Sequence, residues 1–176
     1  MAVKEVTPQE AQDVLNADPS AVYIDVRTER EFANGHPVRA VNIPVAFLDP
    51  ALGMMANPDF VKVVEANFPR DKKIIVGCQA GPRSTAASRM LEQAGFQDVS
   101  NMLGGFGGMR DQMGTVVAPG WAASGLPVSS ENGEGVSYES MKLKIKSSKT
   151  RRMYNLAASS THPLIPWLSV PIFFNF

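Results

Sequence analysis

Along the first 128 residues, short apolar runs alternate with segments whose apolar residues recur at helical spacing. Ala21-Val22-Tyr23-Ile24-Asp25-Val26 reads as a buried strand, as does Lys73-Ile74-Ile75-Val76-Gly77. Asp98 to Leu103 supplies a further strand, and Val41-Asn42-Ile43, closed by Pro44, reads as an edge strand. Helical signals fall between these runs. Thr7-Pro8-Gln9-Glu10 combines an N-cap, a proline at the first helical position and a glutamate for a capping box, predicting a helix to about Asn16. Thr28-Glu29-Arg30-Glu31 opens a second helix that stops at Asn34-Gly35. Asn57-Pro58 caps a third with Val61, Val64 and Phe68 on one face, and residues 45–56 before it read as a loop. Ser84 begins a fourth, with Ala87, Met90, Leu91 and Ala94 on one face and Gly95 as its stop. Trp121 to Val128 is expected to pack a last helix. Strands alternating with helices indicate an α/β domain with a largely parallel sheet.

Composition divides the chain at about residue 128. The 44% hydrophobic and 19% charged content is that of a globular protein, and 176 residues suit one domain with an appendage. The expected domain is 1–128. Residues 129–176 read as a polar, then basic linker and an apolar tail interrupted by Pro163, Pro166 and Pro171, expected to be disordered or loosely docked. That tract is too short and too broken to span a bilayer, so membrane contact is not expected. Residues 1–140 hold seventeen acids against eleven bases, a net charge of −6, whereas residues 141–176 hold six bases and no acid. The acidic body argues against a nucleic-acid partner.

Cys78 is the sole cysteine, so no intramolecular disulfide can form and a reducing compartment fits. Together with His36 and His162 it makes too small a set for a structural zinc site, and neither metal nor cofactor is expected. The first residues lack an apolar signal core. The cytoplasm is therefore the expected location, with an organelle stroma or matrix open if a targeting segment is missing.

The chemistry concentrates at Cys78, directly after a strand and before the turn Gln79-Ala80-Gly81-Pro82-Arg83, which opens into the helix from Ser84. The carboxyl edge of a parallel sheet faces the ligand crevice, and a helix N-terminus offers unpaired N–H groups and partial positive charge. Such a setting holds an anion and favours the thiolate, the nucleophilic form of a thiol. Gly81 lets the backbone reverse and Pro82 stiffens it. An inert buried cysteine would not require a turn of this composition at the mouth of a helix.

C-Q-A-G-P-R-S resembles the active-site loop of single-domain rhodaneses, whose pattern is C-x-x-G-x-R-S. The stretch Tyr23 to Pro44 resembles the family's D-V-R…E-F…G-H…A-x-N-I-P block. M-L-G-G-F and W-A-A-S-G-L-P-V resemble its closing segments, so the similarity spans about residues 5–128. The resemblance implies a three-layer domain with a mainly parallel five-stranded sheet flanked by helices. It implies a sulfurtransferase in which Cys78 takes sulfane sulfur from a donor, thiosulfate or a persulfide, and passes it to cyanide, a thiol or a protein. It also implies that the loop Gln79, Ala80, Gly81, Pro82, Arg83 and Ser84 cradles the anionic sulfur, with Arg83 attracting an anionic donor and Asp25 and Arg27 in support. His36 reads as a hydrogen-bonded structural histidine. The glycine run from Gly104 reads as close backbone packing, since neither G-x-G-x-x-G nor a Walker Lys-Ser/Thr is present.

Two other readings remain. A cysteine phosphatase or arsenate reductase also places a thiolate at a helix N-terminus. Those enzymes resemble C-x5-R, usually with histidine before the cysteine, whereas here the spacing is C-x4-R and Gly77 precedes. A carrier or regulatory rhodanese module is the non-enzymatic alternative. With no second cysteine, an external acceptor must remove the sulfur. With Arg83 as its only loop cation, the site is expected to bind thiosulfate weakly, leaving a persulfide or protein donor.

Overall fold

The computed structural model describes residues 3–145. Its elements, in chain order, are β1 (Lys4–Val6), α1 (Pro8–Ala17), β2 (Val22–Asp25), α2 (Glu29–Ala33), β3 (His36–Pro37), β4 (Ala40–Asn42), β5 (Ala46–Asp49) and β6 (Gly53–Ala56). Then come α3 (Phe60–Asn67), β7 (Lys73–Gly77), α4 (Pro82–Gln93), β8 (Asp98–Met102), β9 (Met109–Arg110) and β10 (Val116–Ala118). A 3-10 turn (Ala122–Ser124), β11 (Val128–Ser129) and a helix over residues 138–145, here α5, complete them.

Five strands form one sheet in the order β1-β8-β7-β2-β4, with every neighbouring pair parallel. Alternation along each strand sends successive side chains to opposite faces. Val22, Ile24, Ile74, Val76 and Val99 meet Phe60, Val63 and Val64 of α3 and Ala87 and Leu91 of α4 on one face. Tyr23, Ile75 and Met102 meet Ala11 and Leu15 of α1, Phe32 of α2 and Trp121 on the other. The three-layer arrangement follows from burying both faces of a sheet whose central strands are apolar throughout. The capping boxes at Thr7 and Thr28 are both formed, with Glu10 and Glu31 as the returning carboxylates.

Four expectations about local structure need correction. Residues 45–56 are not a loop but the antiparallel hairpin β5–β6. Its turn is held by Asp49 Oδ1, which accepts from the N–H groups of Ala51 and Leu52, while Phe47 packs against the core. Asn57 does not cap α3. It is buried, and its Nδ2 donates to the Pro44 carbonyl and to Tyr138 Oη. Helix α4 starts at Pro82, which moves Arg83 and Ser84 out of the loop and into the first helical turn. Trp121 to Val128 holds only the 3-10 turn, because Gly125 takes a left-handed conformation (φ 69°) and Pro127 cannot continue a helix. Trp121 is nevertheless fully buried, its Nε1–H donating to the Pro127 carbonyl.

The body also continues past the expected boundary at 128. β11 pairs antiparallel with β3, and Asn42 N–H on edge strand β4 donates to the Val136 carbonyl. Tyr138 and Met141 are buried against α3 and β4–β5 residues in the main core. Residues 129–145 are therefore docked; the basic and apolar tail expected over the remainder lies, from residue 146 on, outside the described residues. Among the described residues, no helix is long and apolar enough to cross a membrane.

Candidate active site

Strand β7 ends at Gly77, so Cys78 stands at the carboxyl edge of the sheet, between the ends of β2 and β8. The four-residue loop Cys78–Gly81 then delivers the chain to α4. Gly81 is the N-cap at φ 121°, a conformation that favours glycine, and it directs its N–H at Cys78 Sγ, 3.1 Å away. The Gly81 carbonyl points the opposite way. It accepts from Ser84 Oγ at 2.8 Å, from Thr85 Oγ1 at 3.1 Å and from Thr85 N–H at 3.0 Å. Ser84 thus braces the loop through the Gly81 carbonyl. Pro82, at the first helical position, has no N–H to offer.

Cys78 is only 1% exposed, which differs from the open thiol expected for a reactive cysteine.

The back of the loop rests on the glycine run. The Cys78 carbonyl accepts from Phe106 N–H at 2.7 Å and the Gln79 carbonyl from Gly107 N–H at 2.9 Å. A Cβ on Gly105 would come within 2.5 Å of the Cys78 oxygen and 2.8 Å of Ala80 N, so only glycine permits this approach. The expected close backbone packing is what the run provides, with the cysteine loop as its partner.

Two arginines meet this assembly, each tied to a carboxylate. Arg27 and Asp25 form a buried pair, 2% and 1% exposed, with Nε 3.0 Å from both carboxylate oxygens and Nη2 2.7 Å from Oδ2. Arg27 Nη2 also donates to the Gly35 carbonyl and Nη1 to Gln79 Oε1 at 3.1 Å, while its guanidinium stacks 4.3 Å over the Phe106 ring. Asn42 Nδ2 steadies the same turn by donating to the carbonyls of Asp25 and Arg27. Asp25 therefore acts on the loop through Arg27 and Gln79.

Arg83 is differently committed than its loop position suggests. Its Nη1 and Nη2 grip both oxygens of Glu31 at 2.7 and 2.6 Å. Burial disfavours the charged form of Glu31, but hydrogen bonds from Arg83 and Thr28 outweigh it and lower its pKa to about 2. The same hydrogen bonds from Arg83 to Glu31 raise the guanidinium's affinity for its proton, with smaller contributions from Cys78 and Asp25. Glu31 was assigned only to the helix cap from the sequence. The cap is real, with Thr28 N–H and Oγ1 donating to Oε2, yet the same carboxylate reaches 52 residues along the chain. Nothing in the local spacing signals that reach.

His36 is buried, stacked on Phe32 at 3.6 Å, with Nδ1 2.8 Å from the Phe32 carbonyl. It is a packing residue. Among the described residues, no cluster of His, Cys, Asp or Glu is arranged to hold a metal.

This loop on this sheet defines a class of protein. The family model for a rhodanese-like domain matches residues 7–112, and the chain belongs to that family. It is 41% identical over 105 residues to thiosulfate sulfurtransferase 16, chloroplastic, of Arabidopsis thaliana, covering 60% of this chain and 77% of that one. It is 30% identical over 129 residues to thiosulfate sulfurtransferase GlpE of Haemophilus influenzae, covering 73% and 96%. Two further plant relatives match over 84 residues, and the chain spans less than half of their length. Among solved structures, Rv0390 from M. tuberculosis superimposes with a TM-score of 0.62 at 31% identity, covering 74% of this chain and all of that one.

Proposed function

We propose that the protein is a sulfurtransferase that carries sulfane sulfur on Cys78. The observation that supports it best is the Gly81 N–H directed at Sγ from the N-terminus of α4, on a loop whose sequence and fold are those of the rhodanese-like family. The Cys78 thiolate attacks the outer sulfur of the donor. A Cys78–sulfur bond forms, the donor's sulfur–sulfur bond breaks, and its electron pair leaves with sulfite or a thiolate. An acceptor nucleophile then takes the terminal sulfur and restores the thiolate, a ping-pong sequence. With no other cysteine in the sequence, the acceptor is external: cyanide, a low-molecular-weight thiol or a protein. The α4 N-terminus and the loop amides favour the negative charge on the outer sulfur of the persulfide. Sulfurtransferase names among the relatives support the same reading, and the chloroplast address of one leaves the compartment open.

Incubation with sulfane donors, thiosulfate and an organic hydropersulfide, tests the proposal. Cys78 should gain one sulfur, about 32 Da by intact mass, and Cys78→Ala should gain none. An unmodified protein that instead hydrolyses aryl phosphates would overturn it.

A further inference from the structure

Arg83 and Glu31 together form part of the wall of a cleft of about 890 Å³, facing an apolar wall contributed by Phe47, Leu48, Pro50 and Met54 of the β5–β6 hairpin and its turn. Residues 78–81 do not line this cleft, yet Arg83 lies in the first turn of α4 directly after them and interacts electrostatically with Cys78, so its free charge would favour an anionic donor at that end of the helix. That attraction is cancelled at its source. Both forks of Arg83 are occupied by Glu31, and Glu31 is held in turn by the N–H and hydroxyl of Thr28 on the first turn of α2. The carboxylate is fixed by its own helix and cannot swing aside cheaply. Arg27, the other guanidinium touching the loop, is neutralised by Asp25 in the same manner.

We propose that Glu31 determines donor specificity: by neutralising Arg83 it disfavours dianionic thiosulfate and selects donors of low charge, hydropersulfides carried on an organic group. This rests on the sulfurtransferase reading above. In the preferred step the Cys78 thiolate attacks the terminal sulfur of R–S–SH, the Sγ–S bond forms, and R–S⁻ leaves with the electron pair of the broken bond. One unit of negative charge stands on each side. Neither the thiolate donor product nor its precursor needs the cation that a departing sulfite would need. Glu31 acts through Arg83 and is a positioning residue.

The test is single-turnover loading of Cys78, followed by intact mass, as a function of donor concentration for thiosulfate and for a short alkyl hydropersulfide. Glu31→Gln keeps an acceptor for the Thr28 cap and removes the charge, freeing Arg83. Its half-saturating thiosulfate concentration should fall about tenfold and become salt-sensitive, while its maximal loading rate and its hydropersulfide half-saturation stay within about twofold. Glu31→Asp, which keeps the charge, should retain the wild-type preference. Adding Arg83→Gln to Glu31→Gln should erase the gain. An unchanged thiosulfate half-saturation in Glu31→Gln, or an equal change for both donors, would overturn the inference while leaving the sulfurtransferase reading intact. If the wild-type chain loads from neither donor, both fail together.

Discussion

Replacing Arg27 by methionine isolates the buried pair that ties β2 to the cysteine loop. Methionine fills much of the same volume and keeps contact with the Phe106 ring, so packing loss is small. Asp25, 1% exposed, is left with its charge and the Arg27 backbone N–H at 3.0 Å, having lost three side-chain contacts. Removing one partner of a buried pair costs about 3–5 kcal/mol, because an uncompensated carboxylate stays in the interior. The Gly35 carbonyl loses its donor as well, adding about 1 kcal/mol. The sum is a large share of the roughly 5–15 kcal/mol that holds a domain of this size folded. Urea unfolding should show a lower midpoint with an unchanged slope, and the melting temperature should fall by roughly 8–24 °C. Adding Asp25→Asn removes the stranded charge, so the double variant should recover stability relative to Arg27→Met alone. A loss below about 1 kcal/mol in the single variant, or no recovery in the double, would refute the argument.

Gly105→Ala should cost at least about 2 kcal/mol and slow sulfur loading, since its Cβ would meet the Cys78 carbonyl backbone at a φ of 59°; unaltered melting and loading would contradict the proposed backing of the loop. Acid should weaken the fold through Glu31. Its folded pKa of about 2 lies below the ordinary 4.5, so its contribution is complete above about pH 4.5 and is lost as pH falls toward 2. After screening at this half-exposed site that contribution is about 1–2 kcal/mol, and Glu31→Gln should flatten the stability profile over this window. Met141→Ala should lower stability by about 2–4 kcal/mol, measured in urea; a loss under 0.5 kcal/mol, on the order of a surface substitution, would show that α5 is only loosely attached.

The local code of this chain carried most of the fold. Caps at Thr7 and Thr28, continuous apolar strands at 22–25 and 73–77, and the turn residues after Cys78 each act within a few residues of where they stand, so they can be read in order. The elements that escaped notice lack such local signals. β1 has a single buried residue, Val6, and exists because its backbone pairs with β8. The β5–β6 hairpin is largely exposed, so it has no alternating apolar face to announce it. Residues 129–145 look polar, and they dock because Tyr138 and Met141 find a gap beside α3.

The same division holds at Cys78. Sequence alone singled out Cys78 and its loop and, on the proposed reading, the call for an external acceptor, because those depend on residue type, spacing and a cysteine count of one. Tertiary structure decided where the charges go. Arg83, in the first turn of α4, is satisfied by Glu31 of α2; Arg27 reaches Gln79; and the glycine run closes behind the sulfur. Each pairing joins segments dozens of residues apart, and a guanidinium's partner is set by which carboxylate the packed helices bring within about 3 Å, a distance no local pattern encodes.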